Sequence, residues 1–310
     1  MDILRETDFD FLGPKTTGKV RDIYDLGDRL VLVTTDRHSS FDRIIAHVPW
    51  KGQVLNQISA HWFELTKDIV PNHVLAVPDP NVTIARKCRL VPIEAVVRGY
   101  LTGVTDTAIW TRYGKGQRDF GGLRLPDAMS KNQKLPQPIF DPTTKEAAHD
   151  RTLSPAQMIA EGFVSKELFA RIKDTALALF ARGQEIAAGR GLLLVDTKYE
   201  FGTDGQGGLI LIDEIHTPDS SRYWQRDTYA ARLDANQEPD YFDKEFLRLW
   251  FREHSDPYAD KELPQAPADL VEELSHRYIR MYEQITGKSF VPGTTPILPR
   301  IVRNLQPFAI

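Results

Sequence analysis

The stretch GLLLVDTKYEFGTDGQGGLILIDEIHTPDSSR, residues 191–222, carries two apolar runs, 192–201 and 209–215. Between them lie Gly202, Asp204, Gly205, Gly207 and Gly208, the composition of a hairpin turn. Strand side chains alternate between faces, so Asp196, Lys198 and Glu200 share one face while Val195, Thr197, Tyr199 and Phe201 share the other. Pairing Gly202 with Leu209 sets Glu200 opposite Leu211 and Lys198 opposite Asp213, which gathers Asp196, Lys198, Glu200 and Asp213 on one face. Such a cluster is costly to bury unless a charged ligand meets it. Two carboxylates suit Mg²⁺, which fills its remaining positions with water and substrate phosphates, and the lysine would meet those phosphates. The plain alternative is a solvated hairpin face with cross-strand ion pairs. The openings GLLLV and LILI, apolar on both faces, argue instead for a central place in a sheet. Asp219, Ser220, Ser221 and Arg222 follow in the exit loop.

The 310 residues suggest two domains, each large enough for a core. With 41% hydrophobic and 26% charged residues the composition is that of a soluble globular protein. A net charge of -4 argues against nucleic acid as the main partner. The single cysteine, Cys88, excludes an intrachain disulfide and a cysteine-rich metal site. No apolar run is long enough to cross a bilayer and the N-terminus lacks a signal pattern, so no membrane partner and a cytoplasmic location are expected.

Residues 13–20, GPKTTGKV, nearly spell a nucleotide-binding P-loop, but Val20 stands where the hydroxyl is needed and a hairpin about Leu26, Gly27 and Asp28 follows instead of a helix. A Gly-Lys turn between strands can still cover phosphates, with Lys19 and Arg21 alternating onto one face; a basic edge strand is the competing reading. Residues 36–42 read as a polar loop, and 51–69 as an amphipathic helix with Val54, Ile58, Trp62 and Leu65 inward. Further strands, expected to break at Pro92, lead to Arg98, an arginine suited to a phosphate or carboxylate. Residues 114–145 read as a long loop, a lid or substrate loop, ending near Lys145, Glu146, His149 and Asp150. Helices are expected at 154–162, 166–188, 224–236, 243–254 and 268–286, and the proline-bearing tail as an extended strap.

GKVRDIY at 18–24, SSFD at 39–42, PIEAVVRGYLTG at 92–103, KEAAHD at 145–150, LLVDTKYEFG at 193–202 and DEIHTPDSSRYW at 213–224 together resemble the SAICAR synthetase family of purine biosynthesis, in the family's order and at the length of its yeast-type members. The resemblance implies an α+β, two-lobed fold: a small antiparallel N-terminal lobe over residues 1–87 covering the ATP phosphates, and an α+β lobe over 88–310 with the magnesium and substrate sites. ATP would lie in the cleft between them. It implies ligation of L-aspartate to carboxyaminoimidazole ribonucleotide (CAIR), giving SAICAR, ADP and phosphate. Carried over residue by residue, Glu200 and Asp213 would hold Mg²⁺, while Lys19, Arg21 and Lys145 would serve ATP, with adenine against Arg86, Cys88 and Leu90. Arg98, Ser221 and Arg222 would hold the CAIR phosphate, Asp196, Asp219 and Asp150 would face CAIR, and Lys198, Lys19 and Asp196 would take catalytic positions. Ser39, Ser40 and Asp42, with a lid near Lys131 and Lys134, are the candidates for aspartate.

One departure stands out. Many members have a serine after the glycine of the arginine motif, but Gly103 is followed here by Val104; Thr102 or Thr105 is expected to compensate. A small-molecule kinase would use the same lysine and carboxylates without needing Arg98 and Arg222 together, and a non-catalytic nucleotide-binding protein would tolerate loss of Lys19, Lys198, Glu200 or Asp213, all of which are present. The sequence leaves monomer or homo-oligomer open.

Overall fold

The structure, a computed structural model, describes residues 2–41, 43–105, 107–145, 153–241 and 245–309. Near the N-terminus, β1 (Lys15–Thr17), β2 (Arg21–Asp25) and β3 (Arg29–Thr34) form a meander. Its second turn is the expected one at Gly27, where φ is 90°. The segment read as a polar loop folds instead as a hairpin, β4 (Arg37–Ser40) on β5 (Arg43–His47). Its hydroxyls and charges masked a short strand whose ladder, not apolar alternation, fixes it. Helix α1 (Lys51–Thr66) buries Val54, Leu55, Ile58 and Trp62. Strands β6 (Val74–Asp79) and β7 (Val82–Arg86) then complete a five-stranded antiparallel sheet in the order β1-β2-β3-β7-β6.

Strand β8 (Arg89–Tyr100) enters a second sheet. It runs through Pro92 unbroken, because that proline falls where the register with its neighbour shifts, a bulge that asks no ladder donor of it. Residues 114–145 are less open than expected: after α2 (Ile109–Gly114) come four strands, β9 (Asp119–Phe120), β10 (Leu123–Arg124), β11 (Lys134–Phe140) and β12 (Thr143–Thr144). A satellite core of Leu101, Ile109, Tyr113, Phe120, Leu125 and Leu135 holds it. Helix α3 (Pro155–Ala160) opens with a capping box at Ser154 and Gln157, and α4 (Lys166–Gly189) follows from the Ser165 cap.

The hairpin is central, as its apolar openings imply: β13 (Leu192–Thr203) lies between β8 on one side and β14 (Leu209–Ile212) and β15 (Ser221–Gln225) on the other. Its register differs by one residue from expectation, with Thr203 opposite Leu209, Gly202 opposite Ile210 and Glu200 opposite Ile212. Asp213 still joins the charged face because the strand ends at Ile212 and Asp213 turns in the left-handed region at φ 67°, a conformation aspartate tolerates. Trp224, expected in a helix, belongs to β15, and α5 (Arg226–Asp234) starts after it.

Helices α6 (Glu245–His254) and α7 (Ala268–Thr286) follow, the latter closed by Gly287 at φ 69°. Leu274, Tyr278, Met281 and Ile285 of α7 join α1, α4 and the large sheet in the main core. The tail is not extended throughout: Pro296 stands at the N-cap of a helix, α8 (Ile297–Leu305), with a 3-10 turn after it. Ile297, Ile301 and Leu305 pack with Leu4, Phe9, Val31, Val33 and Ile84, so the C-terminal helix shares the core of the N-terminal sheet. None of the described helices is long and apolar enough to cross a membrane.

Candidate active site

On β13, the alternation of an extended strand carries Asp196, Lys198 and Glu200 to one face. Glu200 pairs directly with Glu94 of β8, two carboxylates side by side that repel unless a cation stands between them. Lys198 supplies it. Its Nζ lies 2.6 Å from Glu200 Oε1, 3.3 Å from Asp213 Oδ2 and 3.6 Å from Glu94 Oε1. Lys145 pairs with the second oxygen of Glu200. From the small sheet, Arg21 sends Nη1 to Asp213 Oδ1 at 2.6 Å and Nη2 to Glu214 Oε2 at 3.1 Å. One guanidinium thereby links the two sheets across the cleft.

Burial works against charge on Lys198, yet Asp213, Glu200 and Glu94 outweigh it and hold the ammonium well above its ordinary range. Burial likewise opposes charge on Arg21, and Glu214, Asp213 and Glu200 more than restore it. For Asp213, burial pushes upward, but Arg21, Lys198 and Lys145 pull the carboxyl far below its usual value. Lys198, Arg21 and Asp213 are therefore charged at neutral pH, with about a quarter of the Lys198 and Asp213 side chains still open to solvent.

The Gly-Lys turn is also fixed. Gly18 N donates to Arg21 O at 2.8 Å, and buried Arg37 donates to the carbonyls of Gly18 and Lys19 at 3.0 and 3.3 Å while pairing with Asp22 at 2.8 Å. Lys19 is exposed at the turn's tip. Along β13 in the other direction, Asp196 receives Arg222 Nη1 at 3.0 Å and lies 3.9 Å from Arg98 Nη1. Arg98 donates Nε to Asp141 at 2.7 Å, and Arg112 pairs with the same carboxylate. Beside Arg222 opens a cavity of about 180 Å³ whose lining includes Thr102, Gly103, Val104, Lys131 and Arg248. Gly103, at φ 98°, has Arg222 Nη1 only 3.1 Å from where a Cβ would stand, so the backbone hugs the guanidinium.

The loop from Asp213 to Ser221 is held from within and from behind. Thr217 Oγ1 donates to Glu214 at 2.7 Å and accepts from the amides of Asp219 and Ser220. His216, fully buried at φ 51°, is fixed through Nε2 by Tyr199 Oη at 2.6 Å, while its carbonyl accepts from Tyr223 Oη at 2.8 Å. Asp219 is bound by Lys51 Nζ at 2.7 Å and by Tyr278 Oη at 2.5 Å, which ties the loop to α1 and α7.

The family profile described as SAICAR synthetase matches residues 15–265. A phosphoribosylaminoimidazole-succinocarboxamide synthase of Legionella pneumophila (strain Paris) is 57% identical over 307 residues, covering 98% of this chain and 97% of that protein. The chain belongs to the SAICAR synthetase family. The chloroplastic synthase of Arabidopsis thaliana is 54% identical over 295 residues, 94% of this chain and 72% of its own length. Among solved structures, the SAICAR-synthase from Saccharomyces cerevisiae complexed with SAICAR aligns with a TM-score of 0.79 at 32% identity, covering 93% of this chain and all of that one.

Of the residues that the family resemblance singles out, Lys198, Glu200, Asp213, Lys145 and Arg21 meet in one ion-pair network. Asp196, Arg98 and Arg222 form a second group, with Ser221 next to it on β15, where Ser221 Oγ lies 2.8 Å from Thr197 Oγ1. Arg86, Cys88 and Leu90 lie on the crossing from β7 to β8, where Gly202 has room only for a hydrogen beside Cys88. Ser39 and Ser40 sit in β4; Ser40 Oγ is buried and has no hydrogen-bond partner among the described residues. Lys131 pairs with Glu238, and Lys134 begins β11. Asp42, Glu146, His149 and Asp150 lie outside the described residues.

Thr102 is poorly placed to replace the missing serine hydroxyl, since its Oγ1 donates to Asn132 Oδ1 at 2.6 Å. Arg37, Lys51, Glu94, Asp141, Glu214 and Tyr278 were given no individual role in the site from the sequence, Tyr278 being read as part of a core stripe. For Glu94 a signal existed: it alternates with Arg98 on one face of β8. For Lys51 and Tyr278, on helices remote in sequence from Asp219, none did.

Proposed function

We propose that the chain joins the amine of L-aspartate to the carboxylate of CAIR, cleaving ATP to ADP and phosphate and giving SAICAR in de novo purine synthesis. The observation that carries this reading is the pairing of the Lys198, Glu200 and Asp213 cluster with Arg21 of the opposite sheet, beside the arginine pair on Asp196. The first group suits a nucleotide triphosphate and the second an anionic co-substrate. We further propose the division implied by the resemblance, 1–87 over the phosphates and 88–310 bearing the remaining sites, with α8 docked on the former. The single cysteine suits a cytoplasmic setting, where we place the reaction.

Glu200 and Asp213 fit Mg²⁺ by donor chemistry: both offer hard carboxylate oxygens, and each of those oxygens is already neutralised by a cation. Bound there, the ion would neutralise charge on the transferring phosphates. Lys198, Lys145 and Arg21 are then available to turn from carboxylate to phosphate. Lys19, on a turn held by Arg37, would cover the phosphates from above.

A carboxylate is a poor acyl donor because oxide leaves badly. We propose that a CAIR carboxylate oxygen attacks the γ-phosphorus and ADP departs; the aspartate amine then adds to the acyl carbon, loses a proton and expels phosphate. Arg98 and Arg222, oriented by Asp196 and Asp141, would fix the ribonucleotide, so that its carboxylate meets Lys198. CAIR labelled with ¹⁸O in the carboxylate tests this. One labelled oxygen should appear in inorganic phosphate with each SAICAR formed; unlabelled phosphate would exclude the acyl phosphate.

A further inference from the structure

We infer that Lys51 of α1 and Tyr278 of α7 are positioning residues for the ligation, acting through Asp219 on the loop that carries Asp213 at one end and Ser221 and Arg222 at the other. This rests on the ligase reading above. Lys51 is the first residue of α1 and its side chain is wholly buried, so its ammonium lies out of water at the end of a helix that favours anions. Such a placement is costly unless a carboxylate meets it. Asp219 Oδ2 does so at 2.7 Å, while Tyr278 Oη donates to Oδ1 at 2.5 Å. The centre of the Tyr278 ring lies 5.6 Å from the same Nζ, and the ring sits in the main core with Leu274 and Met281. One turn earlier, Ser275 Oγ donates to Pro49 O at 2.6 Å, which fixes α7 against the approach to α1.

The loop passes that position on to the reacting groups. Thr217 Oγ1 accepts from Asp219 N at 3.2 Å and donates at 2.7 Å to Glu214, the carboxylate that Arg21 Nη2 holds. Ser220, next in sequence, accepts from the backbone N–H of Lys198 at 3.0 Å. Asp219 also adds to the negative charge that keeps Arg21 ionised. A displaced Asp219 therefore disturbs the supports of Lys198, Arg21 and Arg222 together, and rate is sensitive to such misalignment.

Steady-state kinetics with all three substrates, run well below each variant's thermal midpoint, test the assignment. Tyr278→Phe keeps the ring in the core and removes one hydroxyl. Its kcat should fall roughly tenfold while the KM values for CAIR, ATP and L-aspartate stay within about threefold, a split that lost stability alone would not produce. Lys51→Met alone would leave the Asp219 charge without this ammonium, so it is made together with Asp219→Asn. If Lys51 acts through Asp219, the kcat of the double variant should match that of Asp219→Asn within about twofold. An unchanged kcat in Tyr278→Phe, or a rise in KM alone, would overturn the role of Tyr278; a double variant much slower than Asp219→Asn would overturn that of Lys51. Either result leaves the ligase intact. A wild type without ADP release dependent on CAIR and L-aspartate would remove the functional reading and this inference together.

Discussion

At the scale of single residues, the site is a set of charges that hold one another in place. Lys198 is kept ionised by three carboxylates, two of which are the proposed Mg²⁺ ligands. Asp213→Asn and Glu200→Gln should each lower turnover by about 10²–10³ at ordinary Mg²⁺, with far-UV circular dichroism unchanged; near-normal turnover in both would remove the metal assignment. The face of β13 was readable because alternation along a strand is strict, and a one-residue error in partner register left Asp196, Lys198 and Glu200 together. Asp213 reached the cluster by another route, a left-handed turn, which no periodicity encodes. Arg37 was hidden for a related reason. Its work is to hold backbone carbonyls in a distant turn, and only tertiary geometry shows that.

Among elements, the loop between β14 and β15 depends on α4 passing close behind it. A Cβ at Gly183 would stand 2.4 Å from His216 Cε1, so Gly183→Ala must move the buried ring and the turn it anchors. A loss of about 1–3 kcal/mol in urea unfolding is expected, with a lower kcat as Asp213 and Asp219 shift; an unchanged midpoint and kcat would mean the helix yields freely. Asp36 joins three elements, accepting from Leu4 N at 2.8 Å and from Gly52 N at 2.9 Å at the start of α1. Burial raises its pKa to about 6 against those hydrogen bonds. The folded state therefore binds a proton that the unfolded chain has released, and this group's contribution becomes more favourable as pH falls through 6 toward 3.8. The unfolding free energy of wild type minus that of Asp36→Asn should rise as pH drops from about 7 to about 5; a flat difference would contradict the raised pKa. Most helices were legible from caps and stripes, as α7 shows from Ala268 to Gly287. The β4–β5 hairpin was not, because β4 carries arginine, histidine and serine where an isolated strand would carry β-branched residues.

For the whole molecule, segments near the two ends of the chain share the core of the small sheet. Arg300 of α8 pairs bidentately with fully buried Asp79, at 2.8 and 3.0 Å, and also donates to Asn81 at 2.7 Å. Arg300→Met would leave Asp79 buried without a counter-charge, held only by Asn304 Nδ2 and Asn81 N, costing about 3–5 kcal/mol; adding Asp79→Asn should recover part of that loss in chemical denaturation, and no recovery would argue that the pair contributes through packing alone. The tail's prolines suggested an extended strap since a lone sequence cannot say what lies opposite Ile297, Ile301 and Leu305. Arg21 completes the picture by joining the small sheet to Asp213 and Glu214 at the end of the central hairpin, so that these carboxylates tie the two sheets together. The most direct measurement is ADP release from Mg·ATP by the purified protein, with CAIR and L-aspartate omitted in turn. ADP formation that requires both, matched by SAICAR identified by mass, is the predicted result; ADP released without aspartate alongside a stable phosphorylated product would contradict the ligase.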